Sequence, residues 1–316
     1  MSRGNHTDQV SNYTQVLFSI TLCEKVFHMD YASGCNIATT RQVPFSSLVN
    51  RSMKKSSTII ALTSNKGGTG KTTVSLGLGA GLARLGKRVL LVDMDQQGNL
   101  SSGAGCNDPA AHIGLLLREL ASWEQTLVKG QQTNIDLLPA SNELIPHEAL
   151  LSVTPGKEFI LDELLDEHAR HYDFVLIDCP PNLGTMTFMA LNAADYYIVP
   201  IQGENFAYQG LAQIRNFVAT VRSPRFNPKL TMAGILLNKF RDKTRFGGQV
   251  LDMLNQSEDS PVFATRIGQD LALMEATAEG LNIFDYNPKS KAAASFEALS
   301  QELISLLQHH GEEKSI

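Results

Sequence analysis

At 316 residues, 43% of them hydrophobic, the chain is long enough for one large core or two small ones. A formal net charge of -5 argues against a globally basic nucleic-acid binder, although it leaves room for a local basic patch. Four cysteines, Cys23, Cys35, Cys106 and Cys179, are too few and too scattered for a disulfide scaffold, so a reducing cytoplasm is the expected compartment.

Residues 1–55 are rich in Ser, Thr and Asn and carry no sustained helical or strand period. Two readings stand for them: a disordered polar leader that could bind a partner, or a mis-assigned start with Met53 as the true first residue. The run "VLFSITL", Val16 to Leu22, has the size of a signal-peptide core. It follows a single Arg and no small-residue cleavage site succeeds it, so secretion is not expected. No apolar run approaches the roughly 20 residues of a membrane helix.

From Ser56 onward, strands and helices alternate. The predicted strands are Thr58–Thr63, Arg88–Asp93, Ile135–Ala140, Asp173–Asp178, Tyr196–Ile201 and Met232–Asn238. Most are short continuous apolar runs, as expected of strands buried on both faces. Helical stretches such as "TTVSLGLGAGLARLG" and "KEFILDELLDEHARHY" lie between them. The pattern predicts an α/β fold, a doubly wound and mostly parallel sheet flanked by helices. One domain is expected over residues 56–309, with a tail at 310–316.

The first strand runs into "SNKGGTGKTT". Gly67, Gly68, Thr69, Gly70, Lys71, Thr72 and Thr73 lie between a buried strand and a helix, which is the context of a phosphate-binding loop. Glycines let backbone N–H groups turn onto phosphates, and the helix N-terminus adds partial positive charge. Lys71 is the candidate for the outer phosphates and Thr72 for magnesium. Further along, "VLLVDMDQQGN" ends a strand at Asp93 and places Asp95 just beyond it. "DFVLIDCPP" ends another at Asp178, where a magnesium-holding carboxylate belongs. Strand-end carboxylates on one edge of such a sheet converge where ligands bind.

"NKGGTGKTT", "VLLVDMDQQGNLS", "FVLIDCPPNLG" and the tail "EATAEGLNIFDYNPKSKAAASFEAL" together resemble the ParA/MinD family of deviant Walker-A ATPases, in its ParA branch. The resemblance spans nearly all of the chain from about Ser57 to Leu307. It implies ATP and Mg2+ as cofactors and a homodimer when ATP is bound. Lys66 would reach across that dimer to the partner's phosphates, Asp95 would orient the attacking water, and Asp93 would sit beside the metal. Asn238, at a strand end, resembles the position that contacts adenine. One departure is Gln96, where a proline is common, which could loosen the hydrolytic loop.

The family's branches differ in partner, and three readings compete. An iron-protein reading needs cysteines placed to bridge a cluster, and the sequence around Cys106 and Cys179 is that of the ParA branch. A MinD-type, membrane-associated positioning ATPase is the alternative reading. It needs a basic terminal amphipathic helix, whereas "FEALSQELISLLQHHGEEKSI" is acidic on its polar face, so core packing of Phe296, Leu299, Leu303, Leu306 and Leu307 is expected. The DNA reading rests on Arg215, Arg222, Arg225, Lys229, Lys239, Arg241, Lys243 and Arg245, opposed only by Asp242, with Arg266, Lys289 and Lys291 beyond. Such a patch suits sequence-independent phosphate contact. Against it, Gly268, Gln269 and Ala272 stand where relatives carry basic residues. The expected protein is a nucleoid-associated, cytoplasmic ATPase that segregates or positions a plasmid, chromosome or protein compartment through a ParB-like or cargo-adaptor protein, without stable membrane association.

Overall fold

In the computed structural model, residues 57–130, 134–202, 207–240 and 261–313 are described. They belong to one unit within Arg51–Ile316. Seven strands form its sheet: β1 Thr58–Leu62, β2 Val89–Asp93, β3 Ile135–Leu138, β4 Phe174–Asp178, β5 Tyr196–Ile201, β6 Thr231–Phe240 and β7 Ile267–Gly268. Their order is β3-β2-β4-β1-β5-β6-β7, and every pairing is parallel. The six predicted strands are all present; β7 is an addition. The helices are α1 Lys71–Arg84, α2 Asn99–Gly103, α3 Ile113–Leu117, α4 Trp123–Thr126, α5 Leu144–Ser152, α6 Lys157–His168, α7 Thr185–Ala193, α8 Ala207–Val221, α9 Leu271–Ala278, α10 Ile283–Tyr286 and α11 Lys291–Glu313.

The continuous apolar runs follow from this layering. Successive side chains of a strand face opposite ways. In β1, Ile59 and Ala61 enter one core with the residues of α3 and of α5 to α8, while Ile60 and Leu62 enter a second core with α1, α9, α10 and α11. A strand buried on both faces has no polar alternation to show.

α11 supplies the long apolar stripe expected of it. Phe296, Leu299 and Leu303 are fully buried, and Leu306 and Leu307 pack partly buried on the same core. The stripe fits because α1 is small where it meets the terminal helix. A Cβ at Gly77 would stand 2.4 Å from the Phe296 ring, and one at Gly81 would stand 2.2 Å from the Ser300 hydroxyl. Its apolar face is therefore committed to the core. Among the described residues, no helix is long and apolar enough to cross a membrane.

Candidate functional site

Parallel strands put all their C-terminal ends on one edge, and β1, β2 and β4 end in register. Leu62 and Asp93 each pair with Asp178. The chain leaves β1 through Ser64–Gly70 and enters α1 at Lys71. Gly70 is the N-cap, with φ 86° and no side chain capping the helix, so the first-turn N–H groups of α1 stay available to an anion. Gly68 also takes a left-handed φ of 78°.

The two lysines of the loop have different surroundings. Lys71 is buried at the loop's base, 7% exposed, while Lys66 is exposed at its lip. Beside Lys71, the Thr72 hydroxyl donates to Asp178 Oδ2 at 2.7 Å. Ser75, one turn further along α1, places its hydroxyl 3.2 Å from Asp178 Oδ1 and 3.1 Å from the Lys71 carbonyl. Burial pushes the Asp178 carboxyl up to about 7, reinforced by Asp93, while the Thr72 hydroxyl and Lys71 pull it back. A buried carboxylate and a hydroxyl beside an uncapped helix start are hard oxygen donors of the kind magnesium takes, with phosphate oxygens and waters completing its shell.

Asp93 lies next to Asp178, but both of its oxygens are already engaged. Oδ1 accepts from the Asp95 N–H at 3.1 Å, and Oδ2 accepts from the Ser101 N–H at 2.9 Å and the Ser101 hydroxyl at 2.8 Å. Burial nonetheless raises its carboxyl to about 6 against these donors. Asp93 thereby holds the backbone of Asp95. The turn that follows is closed without a proline at Gln96: Gly98 N–H donates to the Asp95 carbonyl at 2.9 Å and Gln97 N–H to Asp95 Oδ1 at 3.0 Å. Glu148 of α5 faces the same place, its carboxyl raised by burial and by the charge of Asp95.

Asn238, at the end of β6, braces the loop. Its Nδ2 donates to the Thr69 carbonyl at 2.8 Å, and its Oδ1 accepts from the Lys239 N–H at 2.9 Å. It also lines a cavity of about 570 Å3 with Thr73, Lys239, Gln269, Leu271 and Met274. Leu271 and Met274 are 72% and 70% exposed there, apolar surface at the mouth of a site next to the loop.

The predicted basic set does not lie on one surface. Arg222 and Arg225 are exposed in the turn between α8 and β6, at the strands' N-terminal edge and opposite the phosphate loop. Arg266 is exposed before β7, its guanidinium 5.3 Å above the Phe240 ring. Lys289 and Lys291 are exposed just before and at the start of α11, and Asp270 ties that start to α9 by accepting from both Ala272 N–H and Ala292 N–H. Arg266, Lys289 and Lys291 thus flank the β7–α9 region. Arg241, Lys243 and Arg245 lie outside the described residues. Cys179 is buried beside Asp178, its thiol pushed up by burial, and Cys106 is half-buried.

Ser75, Ser101, Glu148 and Gln202 did not stand out in the sequence, and Lys239 stood out there only as one of the basic run. Of the first four, only Ser75 carried a readable signal, its helical spacing from Lys71 and Thr72.

The family profile described as an AAA domain matches residues 57–232. The sporulation initiation inhibitor protein Soj of Bacillus subtilis is 38% identical over 247 residues, which cover 78% of this chain and 97% of Soj. The chain belongs to the ParA/MinD family of deviant Walker-A ATPases. Within that family, the chromosome partitioning protein ParA of Myxococcus xanthus is 35% identical over 249 residues, covering 78% of this chain and 87% of ParA. A crystal structure of cobyrinic acid a,c-diamide synthase from Mycobacterium smegmatis, with bound ATP analog and magnesium, superposes with a TM-score of 0.64 at 33% identity. The match covers 71% of this chain and 92% of that one.

Proposed function

We propose that this chain is an ATP- and magnesium-dependent ATPase that dimerises around bound ATP, holds DNA without sequence preference in that state, and segregates or positions a cargo through an adaptor protein. The observation that carries the reading is the division between its lysines: Lys71 buried beside Thr72 and Asp178, Lys66 exposed at the loop's lip.

Each residue then has a task its surroundings support. The N–H groups of Gly67 to Thr73 and the start of α1 bind the phosphates, with Lys71 as the principal side-chain cation. Thr72 and Asp178 hold magnesium, which when bound neutralises phosphate charge. Asp95, fixed through Asp93 and Ser101, orients the attacking water. The cavity beside Asn238 receives the base. Lys66 acts in trans: a cation that reaches the partner's phosphates neutralises them only when two loaded subunits meet. Nucleotide occupancy and dimerisation become one event.

Light scattering of the full chain with ATP and magnesium tests this. The wild type is expected to double its mass. Lys71→Ala should bind no ATP, Lys66→Ala should bind ATP yet stay monomeric, and Asp95→Ala should form a dimer that turns over far more slowly. A Lys66→Ala protein that dimerises like the wild type would remove the trans role.

A further inference from the structure

Lys239 has a backbone conformation that lysine rarely adopts. Its φ is 52°, in the left-handed region where Cβ crowds the following carbonyl. Strain of this kind persists where the surroundings over-determine it, and it concentrates at functional sites. Three hydrogen bonds define those surroundings. The Lys239 N–H donates to Asn238 Oδ1 at 2.9 Å. Its ammonium donates to the Gly68 carbonyl at 3.0 Å. Gln202, just past β5, donates its Nε2 to the same carbonyl.

A carbonyl oxygen has two lone pairs, and here two side chains from neighbouring strand ends occupy both. The peptide that follows is planar and trans, so its C=O and N–H point opposite ways. Drawing the Gly68 carbonyl toward the ends of β5 and β6 turns the Thr69 N–H away from them. The Thr69 carbonyl is held separately, by Asn238. Both peptides on either side of Thr69 are therefore oriented by side chains outside the loop.

We propose that Lys239, together with Gln202, is a positioning residue for phosphate binding: it holds the Gly68–Thr69 peptide so that the Thr69 N–H joins the donors that face the nucleotide. The inference rests on the nucleotide-binding reading above and adds a residue to it. The left-handed backbone at Lys239 brings its ammonium to the loop at the expense of local stability.

The test is calorimetric titration of the full chain with ADP and with a non-hydrolysable ATP analog, both with magnesium, beside thermal melting. Lys239→Met keeps the length and loses the donor. It is expected to bind both nucleotides about 10-fold more weakly, the scale of one charge-assisted hydrogen bond. Lys239→Arg, which can reach the same carbonyl, should recover affinity to within about threefold. Lys239→Gly should lose as much affinity as Lys239→Met while melting no lower than the wild type, because glycine accepts the left-handed backbone. Unchanged affinity in Lys239→Met would overturn the proposal. So would a loss confined to the ATP analog, which would make Lys239 a direct ligand of the outer phosphate, or a melting temperature that falls with affinity in Lys239→Gly, which would make it merely structural. A wild type that binds neither nucleotide would overturn the functional reading itself and this inference with it.

Discussion

Gly70 meets two constraints that a side chain could not. Its φ of 86° is strained for any other residue, and a Cβ there would stand 2.1 Å from Asn238 Nδ2. Asn238 cannot withdraw freely, because that nitrogen is bonded to the Thr69 carbonyl. Gly70→Ala is therefore expected to cost on the order of 1–3 kcal/mol of stability and to abolish ATP binding. Adding Asn238→Ala removes the clash but not the backbone strain. The double variant should regain part of the melting temperature and none of the affinity. Melting curves and nucleotide titrations on the two proteins decide it, and a Gly70→Ala protein that binds ATP like the wild type would contradict this account of the loop.

At the scale of elements, α3 is anchored by an unusual cap. His112 is buried, and its Nδ1 accepts from the Gly114 N–H at 3.2 Å, which requires the neutral ring. Glu143 lies 3.7 Å from Nε2, and the His147 ring, itself bonded to Arg118, packs edge-on. Burial and then His147 hold the His112 pKa below its ordinary 6.5, with Glu143 opposing them. A depressed folded-state pKa gives stability that is complete above 6.5 and is lost as pH falls through the folded value. Melting temperature should therefore decline as pH drops from 7 toward 5. His112→Asn, an acceptor that does not titrate there, should show a shallower decline, since a cap is worth about 1 kcal/mol. Identical pH profiles for the two proteins would assign the decline to other groups. This cap was not legible in the sequence, where neither His112 nor the short helix it starts has a periodic signature. By contrast, six strands were legible, because burial on both faces wrote most of them as continuous apolar runs. β7 has no such signature: two residues, one of them glycine, contain no run to read. The phosphate loop was equally plain, since its glycines and lysines are local in the chain. Its bracing by Asn238, Lys239 and Gln202 is not, because sequence separations of more than 130 residues close only in the fold.

At the scale of the molecule, the described members of the predicted basic set sort by edge. Arg222 and Arg225 occupy the edge opposite the phosphate loop, whereas Arg266, Lys289 and Lys291 flank β7, whose strand partner β6 carries Asn238 and Lys239 near its C-terminal end. Arg241, Lys243 and Arg245 follow β6 directly in the chain. If DNA is held only by the ATP-bound form, its contacts belong on the side that borders the nucleotide. With ATP and magnesium, the chain should shift arbitrary duplex DNA at low salt and release it steeply as salt rises, because released counterions drive such binding. Replacing Arg241, Lys243 and Arg245 by Ala should weaken all sequences alike. The salt slope should become shallower by about one unit per lost phosphate contact, about three in all. Replacing Arg222 and Arg225 by Ala should change the slope by less than about one unit. The reverse pattern would move DNA to the opposite edge, and no change in either would pass the role to Arg266, Lys289 and Lys291. Anionic liposomes should not sediment the protein, since the apolar stripe of α11 is already spent on α1 and the sheet. Retention on liposomes without a DNA shift would favour the MinD-type alternative.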